Sequence, residues 1–465
     1  MENKNAWEKY PEGEDRRKVM DFAEDYRKFI SECKTERECV QKFEEMAKRA
    51  GFKELNSLIA EGAQIKAGDK IYAGCMGKAM ALFVIGTKDL EQGMNILGAH
   101  IDSPRLDLKQ VPLYEDTQMA MLDTHYYGGV KKYQWVTLPL AIHGVFAKKD
   151  GSVIPVSIGD KPEDPVFGVS DLLIHLSSDQ MEKKASKVIE GEKLDLLIGS
   201  IPMKKESEKE SAKDTVKANI LRILKDAYDV EEDDFLSAEI EVVPAGEARD
   251  YGFDRSMIMG YGHDDRVCAY PSFQALLNMK SPERTGVCLL VDKEEVGSVG
   301  ATGMHSRFFE DTVAELLQLS GKFSELSLRR AMRNSKMLSS DVSAAFDPNY
   351  PEVTEKRNAA YFGKGLVFNK YTGSRGKSGS NDANAEYMAQ IRHILDSRTI
   401  AFQTSELGKV DQGGGGTIAY ILANYGMQVI DSGVAVLNMH APWEIISKVD
   451  LYEALLGYQA FLEEA

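Results

Sequence analysis

No run of about 18 apolar residues occurs anywhere in this 465-residue chain, so no segment is long enough to cross a bilayer as a helix. Basic charge is in short supply: 57 Lys and Arg stand against 73 Asp and Glu, a net charge of -16. That balance argues against nucleic acid or an anionic membrane surface as a partner, since phosphate binding needs a basic face. There are five cysteines, Cys33, Cys39, Cys75, Cys268 and Cys288, with no Cys-x-x-Cys pair among them. A disulfide framework is therefore not expected, and a reducing cytoplasm is, with Cys268 and Cys288 as apolar packing residues. The opening residues, Met1 to Arg17, are polar and charged rather than a basic stub before an apolar stretch, so no targeting segment is expected.

Nucleotide-binding signatures are missing too. Gly373-Ser-Arg-Gly-Lys-Ser378 ends like a phosphate loop but has Tyr371 where that loop needs glycine, and Gly297-Ser-Val-Gly-Ala-Thr-Gly303 lacks the dinucleotide spacing. Asp411-Gln-Gly-Gly-Gly-Gly-Thr417 has no lysine after it; it reads equally as a substrate-lining loop or a flexible turn.

What is present is an α/β texture with an interruption. At this length the chain makes two domains, or one large domain carrying an insertion. From Glu14 to Gly51 apolar residues such as Phe22, Tyr26, Phe29, Val40, Phe43 and Met46 recur at helix-face spacing, and strand-like runs such as Ala81 to Ile85 follow. Beyond Lys109, turn dipeptides (Gly128-Gly129, Lys149-Asp150-Gly151) punctuate short strands at Leu138 to Phe146 and Val153 to Ile158. A charged stretch from Lys204 to Asp214 reads as a solvated loop or frayed helix start, and an amphipathic helix from Val216 to Tyr228 follows it. After Pro244 the α/β texture returns. The expected division is a discontinuous domain, 1–108 and 247–465, with a β-rich insertion at 109–246.

Five apolar runs end in acids or histidine. Met94 to Ala99 leads into His100-Ile-Asp102-Ser-Pro104, and Met257 to Gly260 precedes His263-Asp264-Asp265-Arg266 and a helix from Val267 to Met279. Gly286 to Val291 reads as a buried parallel strand and runs into Asp292-Lys-Glu294-Glu295; Met337 to Ser340 precedes Asp341, and Val434 to Met439 precedes His440. In open α/β sheets functional residues gather at the carboxyl ends of strands. An isolated Glu-Glu pair is usually just solvated, and a lone histidine is usually a hydrogen-bonded core or surface residue. The order His, Asp, Glu-Glu, Asp, His suits a site for two divalent metals bridged by one carboxylate, with His100 oriented by a nearby acid.

These residues together resemble the aspartyl aminopeptidase and aminopeptidase I family of dinuclear zinc exopeptidases. The resemblance rests on Gly98-Ala-His100-Ile-Asp102-Ser-Pro104, Tyr127-Gly-Gly129, Leu173-Ile-His175-Leu176, His263-Asp264-Asp265, Asp292-Lys-Glu294-Glu295-Val-Gly-Ser298, Ser340-Asp341, Pro348-Asn-Tyr350, Gly416-Thr417-Ile418 and Met439-His440, spread over nearly the whole chain. It implies a zinc-exopeptidase-like α/β fold, a mixed sheet flanked by helices, with the insertion serving oligomerisation, often in a tetrahedral dodecamer.

Carried over by position, the resemblance implies that His100, Asp264 and Asp341 hold one metal ion while Asp264, Glu295 and His440 hold the other. Zinc is the ion implied, with cobalt or manganese able to substitute. Asp102 would orient His100, Glu294 would be the general base, and the Asp264 to Asp265 peptide would be cis. His175 corresponds to a histidine that reaches a neighbouring subunit's active site. His263 stands where the family more often has leucine.

The implied activity is removal of N-terminal residues from short peptides with a free amino group. Aspartyl-specific members carry a lysine at the position that aligns with Asn369, so a neutral, apolar or broad preference is expected, with Lys370, Arg375 and Lys377 as other candidate cations. An acid-specific aminopeptidase, a deacylase or amidohydrolase on the same fold, and a non-catalytic shell protein are the competing readings.

Overall fold

A computed structural model of the chain describes residues 4–204, 214–373 and 376–465, so Arg375 and nearly all of the charged stretch after Lys204 lie outside the described residues. The chain separates into two compact units: residues up to Ser103 with Ala248–Met439 and Glu444–Ala465 form the first, and Pro104–Glu247 with His440–Trp443 the second. The sequence placed the first break a few residues later. Strand Arg105–Asp116 begins directly after Ser103 and Pro104 and runs on past Lys109, so the division falls at the start of that strand and not within it.

The first unit is built on a nine-stranded sheet. In spatial order its strands are Lys53–Glu54, Lys70–Cys75, Ala79–Val84, Thr285–Val291, Met94–His100, Lys336–Ser340, Gln428–Gly433, Leu366–Asn369 and Phe402–Thr404. Four neighbouring strands at its centre, Thr285–Val291 through Gln428–Gly433, run parallel. Every residue of Met94–His100 and Thr285–Val291 is buried, as expected of strands covered on both faces.

Alternate side chains feed two cores. Leu97, Ala99, Cys288 and Leu290 join one, with Phe29, Phe43, Phe273 and Tyr458; Met94, Ile96, Val287 and Leu289 join the other, with Val313, Leu316 and Ala331. The helical N-terminal stretch resolves into Glu14–Glu32 and Glu36–Arg49, parted where Thr35 accepts a hydrogen bond from the Glu38 amide and Glu38 caps back.

Two of the five apolar runs noted in the sequence do not join this sheet. Met257–Gly260 and Ala435–Leu437 belong to a separate five-stranded sheet with Arg249–Tyr251, Glu444–Ser447 and Ser343–Ala344. The expected helix after His263 runs to Asn278, with Asp264 and Asp265 departing from helical geometry near its start.

The second unit carries a six-stranded antiparallel sheet in the order Val153–Ile158, Leu140–Ala147, Ala238–Pro244, Arg105–Asp116, Met119–Tyr127, Leu196–Gly199. Helix Thr215–Tyr228 packs on Arg105–Asp116 and Met119–Tyr127. No helix among the described residues is long and apolar enough to cross a membrane.

Candidate metal centre

Parallel register brings distant residues to one level. Thr285–Val291 pairs with Met94–His100 so that Val291 faces His100, and Lys336–Ser340 pairs on the other side so that Ser339 faces Gly98. The chain leaving each strand at its carboxyl end therefore delivers Glu294 and Glu295, Asp102, and Asp341 to the same edge. Asp264 arrives from the other sheet, after Met257–Gly260.

His100 lies at the centre of the group and is 1 % exposed. Its Nε2 is 3.1 Å from an Asp264 carboxylate oxygen, 3.9 Å from Asp341 and 4.0 Å from Glu294. Its Nδ1 is 3.2 Å from Asp102 Oδ1 and 3.1 Å from the Asp102 carbonyl. The Asp102 carboxylate is fully buried and also accepts hydrogen bonds from the Glu294 and Glu295 amides, both at 3.2 Å. One carboxylate thus sets the imidazole and the turn that presents both glutamates. With Nδ1 protonated toward Asp102, an ion that displaces the Nε2 proton would meet the nitrogen lone pair, the arrangement that orients metal-binding histidines.

Asp264 is gripped along its main chain. Its N–H donates to Glu444 Oε2 at 3.0 Å, and its carbonyl accepts from Ser103 Oγ at 2.6 Å. The peptide bond to Asp265 is cis, as the resemblance implied. His263 faces away from this chemistry: its Nδ1 is 2.8 Å from the Tyr26 hydroxyl, and burial pushes it down to about 3, so it stays neutral.

The crowding of acids has an electrostatic signature. Burial raises Asp341 and Asp265 well above the usual carboxylate range, and neighbouring carboxylates add to the effect. Burial alone would lower His100, but its hydrogen bonds to Asp102 and Asp264 prevail and hold it well above the ordinary histidine value. Packed acids around one imidazole make a pocket that favours positive charge. Two sets of donor atoms lie close enough to share an ion, His100 with Asp264 and Glu295, and His100 with Asp265 and Asp341. Imidazole and carboxylate donors suit zinc and its neighbours in the transition series.

His440 and His175 are both in the second unit. His440 adopts φ 65 and its Nδ1 lies 3.0 Å from the Gly129 carbonyl. His175 is exposed on the turn Ile174–Leu176, among exposed Leu172, Leu173, Ile174 and Leu176.

The profile of the aminopeptidase I zinc metalloprotease family, M18, matches residues 29–462. The chain belongs to this family. It is 64% identical over 461 residues to a probable M18 family aminopeptidase 1 of Clostridium acetobutylicum, covering 99% of this chain and 98% of that one. Among solved structures, an M18 family aminopeptidase from Thermotoga maritima superposes with TM-score 0.94 at 44% identity, covering 100% of both chains. The fold extends to the mApe1 dodecamer of S. cerevisiae, with TM-score 0.73 at 20% identity and coverage of 96% of this chain and 97% of that one. The protein is an aminopeptidase of the zinc metalloprotease class.

Three contributors to the site were not singled out in the sequence. Asp265 belongs to a quoted motif but is given no ligand role there, yet its carboxylate joins one of the two donor sets. Ser103 and Glu444 grip Asp264 through its backbone. Asp265 and Ser103 lie inside quoted motifs and Glu444 shortly after one, but only the fold shows what each touches. Asn369, the specificity position, is buried, with its amide donating to Ser343 Oγ at 2.8 Å and its carbonyl accepting from Ser405 Oγ at 2.7 Å. Lys370 and Lys377 both pair with Asp382, at 2.5 and 3.0 Å. In the glycine run, a Cβ on Gly413 would meet the Leu407 carbonyl at 1.6 Å, so close packing by itself explains that glycine.

Proposed function

We propose that the protein releases N-terminal residues from short peptides at a dinuclear metal centre, with His100, Asp264 and Asp341 holding one ion and Asp264, Glu295 and His440 the other. The observation that carries this is the placement of Asp264, Asp341 and Glu294 within 4.0 Å of one buried imidazole nitrogen. Two bound divalent cations, most simply zinc, would supply an acidified water and Lewis-acid polarisation of the scissile carbonyl.

The chain's own residues do the rest. Glu294, partly exposed beside this group, takes the water's proton and hands it to the departing amine. Asp102 keeps His100 in the tautomer that leaves Nε2 free and holds the Glu294 amide, so base and ligand stay in register. Burial around His100, Asp264 and Asp265 lowers the local dielectric and strengthens each of these charge interactions.

The preference proposed is for neutral, apolar or varied first residues rather than acidic ones. Asn369 offers no charge, and the neighbouring Lys370 and Lys377 share Asp382 as partner, so an acidic side chain would have to compete with that carboxylate for either of them. The second unit, inserted into the catalytic domain, is proposed to serve assembly, with His175 completing a neighbour's active site. Its exposed turn and the dodecameric relative support this reading.

Initial rates on dipeptides that differ only in the first residue, each with a free and an acetylated amino terminus, test the proposal. Turnover of the free peptides alone, fastest with neutral first residues, is expected. Preferential cleavage of the acetylated set would make the protein a deacylase, and a strong preference for Asp or Glu would overturn the specificity.

A further inference from the structure

Glu294 and Glu295 ride on a single turn, Glu294–Val296, entered through Lys293 at φ 69 and left through Gly297 at φ 95. Asp102 holds the front of this turn by its two amides. Something must also hold it from behind, because a base displaced by 1 Å loses much of its effect.

Asp292, fully buried immediately after strand Thr285–Val291, is placed to do so. Its Oδ1 accepts from the Lys293 amide at 2.8 Å, and its Oδ2 accepts from Thr302 Oγ1 at 2.6 Å. The Asp292 N–H donates in turn to the Thr302 carbonyl at 3.2 Å. Thr302, 4 % exposed, therefore meets Asp292 through both its side chain and its main chain, and the segment 293–301 is closed at its neck.

That closed segment has little slack. The Ser298 amide donates to the Lys293 carbonyl at 2.6 Å, the His305 amide to the Ser298 carbonyl at 3.1 Å, and a Cβ on Gly303 would lie 2.4 Å from the Ser298 carbonyl. The Lys293 ammonium is also near Asp292, at 3.6 Å, but it is partly exposed and farther from the carboxylate than the Thr302 hydroxyl. The Thr302 hydroxyl is short, buried and directional, so it can fix the carboxylate's rotation where the lysine cannot.

We propose that Thr302 is a positioning residue for Glu294 on this turn, acting through Asp292 and touching neither metal nor substrate. The proposal rests on the reading of Glu294 as the base. Burial, reinforced by the nearby acids Glu36 and Asp102, pushes the Asp292 carboxyl up to about 6. A hydroxyl donor opposite it therefore matters more than it would beside a solvated carboxylate.

The test compares Thr302→Val, Thr302→Ser and Glu294→Gln in the full-length, zinc-loaded protein, reading kcat, KM and zinc content on one unblocked dipeptide. Thr302→Val is expected to lose about tenfold to a hundredfold in kcat with KM within about twofold and zinc content unchanged. Thr302→Ser, which restores the donor, should recover wild-type kcat to within about threefold. If the valine variant does not fold, Thr302→Ala is read by the same criteria.

Wild-type kcat in Thr302→Val, a loss that merely follows lost zinc, or a serine variant as slow as valine would each overturn the proposal. Glu294→Gln separates the two levels. If it is inactive while Thr302→Val is normal, only the positioning role falls; if it turns over normally, the base assignment falls and takes the positioning role with it.

Discussion

Asp102→Asn probes the most heavily used carboxylate of the site. The wild-type carboxylate is buried and faces three donors: His100 Nδ1 and the amides of Glu294 and Glu295, each at 3.2 Å. Asparagine keeps the shape but has one acceptor oxygen, so its NH2 must point at a group that also donates. With nitrogen in place of Oδ2 the Glu295 bond is lost outright, and the His100 and Glu294 bonds to Oδ1 become neutral. Bonds to a charged group contribute about 1.5–3 kcal/mol each, so a loss near 2 kcal/mol at the site is expected. Part of it should appear as weaker zinc binding, by about 10- to 100-fold, the range found when groups behind a metal-binding histidine are removed. Competition with a chelator of known affinity measures the first quantity, and kcat at saturating zinc measures what remains. Zinc affinity and kcat both within about twofold of wild type would refute the idea that Asp102 organises the centre.

Other consequences are open to direct measurement. Glu294→Gln should retain metal and lose about 10²- to 10⁴-fold in kcat, checked by zinc analysis beside steady-state rates. Leu97→Ala, at a fully buried position in the core beneath the site, should destabilise the protein by about 2–5 kcal/mol in urea unfolding. Asp431 is fully buried with Thr417 as its hydroxyl donor, and burial lifts its carboxyl from 3.8 to about 7. The folded state therefore keeps a proton that the unfolded chain releases between these values, so this group drains stability as pH rises from about 4 to about 7. Asp431→Asn should remove that part of the pH dependence, and an unchanged slope of unfolding free energy against pH would show that the acid is not buried in the way described. His175→Ala should slow the assembled enzyme without loss of zinc; full activity in a cleanly monomeric wild-type preparation would end the shared-site proposal.

The sequence was most readable where local chemistry decides the outcome. Met94–His100 and Thr285–Val291 were clear as mainly apolar runs because both faces of these strands are covered, and the polar residues after them stood out against that background. Sheet membership was not readable. Nothing in Met257–Gly260 or Ala435–Leu437 says that they pair with Glu444–Ser447 instead of joining the nine-stranded sheet, because pairing depends on partners far along the chain. The same limit hid the backbone clamps. Ser103 and Asp264 are separated by 161 residues and Asp264 and Glu444 by 180, and neither contact follows from any local pattern. Thr302 looked like part of a glycine-rich loop until its hydroxyl was found against Asp292.

His100, Asp264, Glu295 and Asp341 are proposed to converge on a pair of ions with Asp264 between them. Anomalous diffraction at the zinc edge from a zinc-loaded crystal tests this without reference to any substrate. Two peaks about 3.5–4 Å apart are expected, both within bonding distance of Asp264 and one of them on His100 Nε2. A single peak away from Asp264, or none near His100 at saturating zinc, would contradict it.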